Sequence, residues 1–332
     1  MVSQAITLPT GAHGLYQKFA IQALTIEAIE KTPSTDSHLP ITLLQLGRVV
    51  EGVFRSLNNL LEKFNRSYWF YLLPSTRRYL SIGYYMISFG LMAVPLVLKA
   101  LQIYLNSFDS EPNDSKQLVT NSIPLLDTIP TVFISNLLGI ALLSVPYLVE
   151  KYQELVGLDI ESHNLIYYTI LTLSALFMFN PLARVSSQNE SSLKALHCVA
   201  LLNMALLLSS VSLINISLAL GLTSVYVPVL CILQNKSYSN KLVFVNSLRK
   251  LLQTLLMILL HPLAINYLCL LGLSIFYDTS SSFYSHSTRA FEAQKKVLLY
   301  YIEDWYIYGN WTYFFGCAFL FPAWYQLWSV IF

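Results

Sequence analysis

Long apolar runs without Asp, Glu, Lys or Arg constrain this chain more than any other feature. A membrane core about 30 Å thick needs about 20 helical residues, because lipid offers backbone groups no hydrogen-bond partners. The charge-free runs are residues 79–98, 132–149, 164–183, 195–235, 251–277 and 305–332. The run 195–235 is too long for one crossing, and splitting it between Ser212 and Asn215 predicts two helices. The sequence therefore predicts an all-α membrane protein with about seven spans and its two ends on opposite sides.

The composition agrees with a membrane protein and argues against several other classes. Hydrophobic residues make up 55% of the 332 residues and charged residues 11%, whereas soluble domains carry about 25% charge. The net charge is +2 and the Lys and Arg residues are spread thinly, so no nucleic-acid partner is indicated. The four Cys residues lie in apolar stretches without CxxC spacing, so neither a disulfide framework nor a zinc site is predicted.

The beginning of the chain differs from the rest, which predicts two regions, 1–76 and 77–332. An amphipathic helix is predicted in the first, because apolar residues recur at alternating steps of three and four. The stripe consists of Leu43, Leu46, Val50, Val53, Leu57, Leu60 and Phe64. Glu51 and Arg55 lie off the stripe with favourable i,i+4 spacing. An aromatic stretch at 67–74, typical of a membrane interface, follows before the first span.

Charge does not orient the predicted spans. Lys and Arg residues, with Lys99 counted in the loop after the first span, are divided equally between the two sides, although they should be enriched on the cytoplasmic side. The vote is tied.

Polar residues inside the apolar runs are the first place to look for a site. They are His197, Asn203, Asn215, His261 and Asn266. The runs contain no carboxylate, so a proton relay or ion-coupled transporter would lack its usual acid. His261, followed by Pro262 and Asn266, is the nearest arrangement to a site. It has two interpretations: a residue that hydrogen-bonds neighbouring helices, or the base of an intramembrane acyltransferase.

Prolines interrupt five of the predicted spans and each tends to kink its helix. They are Pro95, Pro146, Pro228, Pro262 and Pro322. Such kinks indicate either helices shaped around a cavity or ordinary packing of a membrane bundle. No glycine-rich phosphate loop, HExxH or GxSxG motif occurs, so the sequence does not predict a complete enzyme.

Several segments together resemble the glycosylphosphatidylinositol (GPI) anchor attachment protein family, which supplies a subunit of GPI transamidase. The early segments are 11–15 (GAHGL), 22–29 (QALTIEAI), 51–62 (EGVFRSLNNLLE), 70–74 (FYLLP) and 79–83 (YLSIG). The later ones are 215–218 (NISL) with Pro228, 321–324 (FPAW) and 328–332 (WSVIF). The resemblance follows the whole chain in order and is most specific over the first 80 or so residues.

The resemblance implies a multi-pass protein of the endoplasmic-reticulum membrane. Its full form would carry a luminal zinc-exopeptidase-like α/β domain before seven spans, and this chain would hold the helical tail of that domain and the spans. Residues 1–78 would then be luminal and Phe332 cytosolic. His13 would stand near the place of the last metal-ligand histidine, but one ligand cannot hold zinc, so no metal and no cofactor are expected.

The resemblance also implies a function without a catalytic residue in this chain. We expect a non-catalytic subunit that presents the GPI lipid, together with the hydrophobic tail of the proprotein substrate, to a separate subunit with a cysteine nucleophile. Its partners would be the other transamidase subunits, the GPI lipid, the proprotein and the membrane. An intramembrane acyltransferase that uses His261 is the main alternative, and a transporter is a further one.

Given the family resemblance, the final span is the expected lipid-binding site. Asn310 and Trp311 open it at the luminal interface, and Pro322 lies about 18 Å deeper at 1.5 Å per residue. Because proline has no N–H, a kink there can open a groove for acyl chains beside Phe315 and Trp324. The alternative is a kink that only fits helices together beneath an ordinary aromatic belt.

Overall fold

A computed structural model describes most of the chain. The residues described are 11–19, 21, 23, 25–26, 42–58, 71–75, 78–108, 125–156, 162–179, 190–233, 243–278 and 282–331. Contacts between Cα atoms group residues 9–85 into one compact unit and residues 86–332 into another. The boundary near residue 76 stays a prediction.

Among the described residues at the beginning of the first unit, two helices occur, α1 (His13–Lys18) and α2 (Leu43–Asn58). In α2 the half-buried residues include three members of the predicted stripe, Leu46, Val50 and Val53, and Arg55 pairs with Glu51 at 2.6 Å. A helix is therefore present over this range, and Leu43, another member of the stripe, is 87% exposed. Two members of the stripe, Leu60 and Phe64, lie outside the described residues.

A β-hairpin, which the sequence did not predict, precedes the first long helix. Strand β1 (Tyr71–Ser75) pairs antiparallel with β2 (Arg78–Ser81). The register shifts between Leu72 and Ser75, and Pro74 lies in this interval, where its missing N–H interrupts a ladder. Because β2 uses the first residues of the run that begins at 79, the helix starts at Ile82.

The second unit is built from helices. In chain order they are α3 (Ile82–Phe108), α4 (Ile129–Val156) after a 3₁₀ turn (Leu125–Thr128), α5 (Ser162–Phe179), α6 (Glu190–Ile214), α7 (Ile216–Ile232), α8 (Val243–Leu259), α9 (Pro262–Tyr277), α10 (Phe283–Tyr308), α11 (Thr312–Phe315), a π-helical turn (Gly316–Leu320) and α12 (Phe321–Ile331). The predicted split of the longest run is confirmed, because Asn215 separates α6 from α7 in an extended conformation. Its side chain caps α7 by accepting a hydrogen bond from the Leu218 N–H at 3.1 Å.

Four helices of the described chain are long and apolar enough to cross a membrane. They are Ile82–Asn106, Leu125–Tyr152, Ser192–Ile214 and Thr312–Ile331. A fifth span results if Leu248–Leu259 and Pro262–Tyr277, which meet at a bend of 75°, count as one broken span. The apolar helices Asn164–Met178 and Ile216–Ile232 are shorter. The chain is thus a multi-pass membrane protein by helix length and composition, and seven spans and a preceding α/β domain stay predictions.

Helix α12 lies at the centre of the second unit. Its Trp324, Tyr325 and Gln326 are fully buried, and it packs against α4, α6 and α8. The Asn203 Nδ2 donates to Gln326 Oε1 at 3.0 Å, and the Gln326 Nε2 donates to Ser135 Oγ at 2.9 Å. Asn203, a candidate from the sequence, therefore joins three helices through a buried hydrogen-bond network.

Lys99 is not a loop residue, although the comparison of Lys and Arg on the two sides placed it in the loop after the first span. It lies inside α3, and its ammonium group donates to the carbonyls of Leu230, Cys231 and Leu233 at the end of α7. A cation at this position stabilises the unpaired carbonyls and the negative end of the helix dipole. Hydropathy could not show this partnership, because it joins residues far apart in the chain.

Candidate functional site

The break between α8 and α9 lies at His261 and Pro262. Pro262 has no N–H to continue α8, and it occupies the first turn of α9, where that loss costs nothing. The His261 N–H donates to the Ile258 carbonyl at 3.1 Å. Its Nδ1 accepts from the Leu263 N–H at 3.2 Å and caps α9. The predicted span 251–277 is therefore two helices, because the chain turns by 75° at this cap.

Side chains from other helices satisfy carbonyls at the break. The Tyr226 hydroxyl on α7 donates to the Leu260 carbonyl at 2.8 Å, and the Trp324 Nε1 on α12 donates to the Met257 carbonyl at 2.9 Å. Both donors are fully buried. Since lipid supplies no donors, a non-helical backbone inside a membrane needs such partners.

Helix α10 supports the start of α9 from the opposite side. The Gln294 Nε2 donates to the Leu263 carbonyl at 2.9 Å, and Gln294 Oε1 accepts from the Tyr167 hydroxyl at 3.3 Å. Further along, the Tyr267 and Ser287 hydroxyls lie 2.6 Å apart. The α9–α10 pair is thereby held by hydrogen bonds along its length.

Helix α10 ends at Gly309, which adopts the left-handed conformation with φ of 70°. The Asn310 N–H donates to the Asp304 carbonyl at 3.2 Å, and Asn310 Oδ1 accepts from the Thr312 N–H at 3.4 Å. The Asp304 side chain is buried. Burial raises the pKa of its carboxyl, and the neighbouring Glu303 raises it further. The final span begins at Thr312, two residues after Asn310.

Pro322 changes the final span without breaking it. Because Pro322 lacks an N–H, the preceding turn is π-helical, and the Phe321 N–H donates to the Gly316 carbonyl, five residues earlier. This turn and Pro322 pack against Gly139 of α4. A Cβ at Gly139 would lie 2.5 Å from the Cys317 carbonyl oxygen and 2.6 Å from the Pro322 Cγ. Glycine is thus what lets the two helices approach so closely.

A mainly apolar cavity of about 300 Å³ lies between the break and the final span. Helices α4, α5 and α7 contribute Leu142, Ile170, Ser174, Leu218 and Leu222. The break, α9 and α10 contribute His261, Pro262, Leu263, Ile265, Asn266, Cys269, Leu298 and Tyr301. The final span contributes Thr312, Tyr313, Phe315, Gly316, Cys317, Leu320 and Phe321. Because Cys269 is exposed, the cavity opens to the surface on the side of α9.

Two polar atoms of residues that line this cavity are buried without a hydrogen-bond partner among the described residues. They are the Nε2 of His261 and the Oγ1 of Thr312. The His261 side chain is itself only 6% exposed. Since buried polar groups are normally paired, these two atoms are among the few exceptions in the described chain.

The structure brings the five predicted lipid-binding residues into one region but not onto one surface. Phe315 lines the cavity, and Trp311 packs edge-on against it with ring centroids 5.3 Å apart. Asn310 caps the start of the span. Pro322 and Trp324 are buried against neighbouring helices. These five as a lipid site stay a prediction.

The sequence singled out His261 and Trp324 separately, and the structure shows that they touch. Their ring centroids lie 4.5 Å apart in an edge-to-face arrangement, and His261 also contacts Phe321. No spacing rule joins two residues on different helices, so only a packing prediction could have paired them.

In the first unit, His13 Nδ1 lies 2.8 Å from Thr25 Oγ1. In the described part of the chain, no three His, Cys, Asp or Glu residues cluster as a metal site would require.

Long apolar helices and a broken span define a multi-pass membrane protein, and an apolar cavity lies among its helices. Residues 1–328 match the family described as Gaa1-like, GPI transamidase component. The chain belongs to this family.

Two curated relatives have matching names. The GPI transamidase component gaa1 of Schizosaccharomyces pombe is 34% identical over 106 residues, which cover 32% of this chain and 17% of the relative. The GPI transamidase component GAA1 of Saccharomyces cerevisiae is 35% identical over 100 residues, which cover 30% of this chain and 16% of the relative. The matched part of the chain therefore spans only about a sixth of each relative.

Proposed function

We propose that this chain is a non-catalytic subunit of GPI transamidase in the endoplasmic-reticulum membrane. It binds the GPI lipid, and the hydrophobic tail of the proprotein substrate, and presents them to a separate catalytic subunit. The other transamidase subunits are its partners. The observation that carries this proposal is the apolar cavity beside the final span, in a chain of the transamidase-component family.

The geometry around the cavity suits an amphiphilic ligand. Acyl chains fit an apolar lining, whereas Asn310 and Trp311 lie at the beginning of the final span, where a polar headgroup would meet the interface. A broken helix beside an intramembrane cavity is also a usual setting for a binding site, because the freed backbone must line protein or a ligand.

The contacts of His261 support a role in binding over one in catalysis. A Cys or Ser nucleophile needs a base within hydrogen-bond reach. Cys269 and Cys317 line the same cavity as His261, yet the His261 Nε2 has no hydrogen-bond partner among the described residues. An acyltransferase that uses His261 is the alternative. It predicts that His261→Ala abolishes product formation, whereas a presenting subunit with this change stays assembled and largely active.

The test uses the complete protein, co-expressed with candidate partner subunits and purified in mild detergent. GPI lipid and co-purified subunits are quantified by mass spectrometry. Pro322→Ala restores an N–H to the final span without adding bulk next to Gly139. We expect a several-fold loss of GPI lipid with normal subunit recovery.

Pro228→Ala is the matched control, because it also removes a proline inside a helix, but at an exposed position, whereas Pro322 is buried. It should leave lipid recovery unchanged. The proposal is wrong if Pro322→Ala does not reduce lipid recovery, or if assembly is lost together with the lipid. A complete protein that purifies without other subunits would contradict the role as a subunit.

A further inference from the structure

We infer that the cavity binds an ester-linked acyl chain of a lipid, and that the ester carbonyl oxygen accepts hydrogen bonds from His261 Nε2 and the Thr312 hydroxyl. This inference rests on the proposed lipid-binding function and specifies which chemical group of the lipid is recognised. Both polar atoms belong to residues that line one cavity and both are buried without a partner in the described chain.

The hydrogen bonds of His261 determine which ring nitrogen can donate. The Leu263 N–H donates to Nδ1 at 3.2 Å, so Nδ1 carries no proton. In a neutral imidazole the proton is then on Nε2, which is a donor. This donor is buried in apolar surroundings against the rings of Trp324 and Phe321. An unpaired donor in such a place is costly, and a ligand acceptor removes the cost.

Thr312 supplies the second donor. It is the first residue of α11, and its backbone N–H already donates to the Asn310 side chain. Its hydroxyl oxygen is buried and has no partner among the described residues. The hydroxyl proton therefore has no acceptor among the described residues, and a rotation of the Thr312 side chain could turn it toward a ligand oxygen in the cavity. A carbonyl oxygen has two lone pairs and can accept from both donors.

The rest of the lining decides between possible ligands. No Asp, Glu, Lys or Arg is among the lining residues, so a phosphate or a free carboxylate would be buried without a counter-charge, which is strongly unfavourable. A neutral acceptor on an apolar chain fits, and an ester carbonyl is that group in a diacyl lipid. A volume of about 300 Å³ is at the lower end of ligand sites. It suits part of one chain with its ester group.

The experiment compares two photoactivatable probes on the complete protein in its purified complex. One is a diacylglycerol with a diazirine in an acyl chain, and the other is its dialkyl ether analogue, which has no carbonyl. Labelled peptides are mapped by mass spectrometry. We expect the ester probe to label peptides that contain cavity residues about three to ten times more than the ether probe, the range for a net hydrogen bond.

Matched variants test each donor. His261→Asn keeps an acceptor near the position of Nδ1 to cap α9 but removes the Nε2 position, whereas His261→Gln keeps an amide donor near Nε2. Thr312→Val removes the hydroxyl with little change of shape, whereas Thr312→Ser keeps it. The ester preference should fall in His261→Asn and Thr312→Val and persist in His261→Gln and Thr312→Ser.

Equal labelling by the two probes, or no labelling of cavity peptides, overturns the inference. An ester preference that survives both His261→Asn and Thr312→Val also overturns it. GPI recovery from the same preparations separates the two proposals. If Pro322→Ala still lowers GPI recovery while the probes show no ester preference, the lipid-presenting function stands and the carbonyl recognition fails. If ester labelling is as expected but Pro322→Ala changes nothing, the reverse holds.

Discussion

Pro262 and Pro322 interrupt apolar helices with opposite results. At Pro262 the chain breaks, and α8 and α9 meet at a bend of 75°. At Pro322 the helix continues, so Thr312–Ile331 remains one candidate span with a π-helical turn before the proline. The same missing N–H therefore ends one helix and only remodels the other.

The difference lies in what surrounds each proline. At the break, a cap from His261 and donors from Tyr226 and Trp324 satisfy backbone groups that no longer pair within a helix. At Pro322, the backbone bonds shift by one residue, and the turn packs against Gly139. Donor side chains permit a break, whereas close packing against a bare glycine keeps a span continuous.

The two sites are also neighbours, because the ring of His261 contacts Trp324. The cavity lies where they meet, lined by the start of α9 on one side and by the π-helical turn on the other. Its shape therefore depends on both interruptions.

The largest loss of stability is expected from Gly139→Ala, which tests whether packing against Gly139 keeps the final span continuous. The new Cβ would lie 2.5 Å from the Cys317 carbonyl oxygen, which is backbone and cannot move aside easily. We expect a loss of roughly 1–3 kcal/mol in stability, as for other overpacked sites, measured as a lower thermal midpoint of the complex in detergent. Accessibility of Cys317 to an alkylating reagent should rise as the two helices separate.

Gly272→Ala is the control for this variant. Gly272 is also a helix glycine, but a Cβ there would meet nothing within 4 Å. The change should be neutral or slightly stabilising, because alanine is the better helix former by about 0.5–1 kcal/mol. Equal thermal midpoints for the two variants would show that the contact at Gly139 does not hold the final span.

A smaller effect is expected from Tyr226→Phe, which tests the break. The change removes the hydroxyl that donates to the Leu260 carbonyl and leaves that carbonyl unpaired. We expect a destabilisation of about 1 kcal/mol, in the range measured for hydrogen bonds between membrane helices. The thermal midpoint is compared with that of Tyr284→Phe, since Tyr284 is 80% exposed. If the two variants melt alike, the hydroxyl does not support the break.

The sequence predicted features that depend on local spacing. Charge-free runs located the apolar helices, and the length of the longest run required a split between Ser212 and Asn215, where the structure separates α6 from α7. The same pattern could not show that 251–277 is broken, because the break depends on donors from Tyr226 and Trp324, far away in the chain.

The candidate site was predictable only as separate residues. Polar residues in apolar runs drew attention to His261, and the family resemblance to Phe315 and Pro322 on the final span, but the cavity arises from helices that pack together. Two further contacts could not be predicted for the same reason. Lys99 binds carbonyls at the end of another helix, and Pro322 packs against Gly139 of another helix. The hairpin was missed because short strands next to an apolar run have the same hydropathy as the start of a span.

The smallest effect on stability is expected from Pro262→Ala. This variant tests whether donor side chains, and not Pro262 itself, hold the break. If donor side chains hold the break, restoring an N–H at 262 should not straighten the chain, because Trp324 still binds the Met257 carbonyl and Tyr226 still binds the Leu260 carbonyl. Stability should change by less than about 1 kcal/mol, since proline at the first turn of a helix acts mainly on the unfolded chain.

Spin labels at Leu251 and Tyr277, both exposed, report the bend through their separation. A straight helix would place these positions about 39 Å apart at 1.5 Å per residue, and the bend brings them closer. We expect the shorter distance in both Pro262→Ala and the unchanged protein. A shift toward the straight-helix distance would mean that Pro262 itself causes the break. A double variant, Pro262→Ala with Tyr226→Phe, tests the side-chain donors. If the donors keep the two helices bent, the distance lengthens only in this double variant.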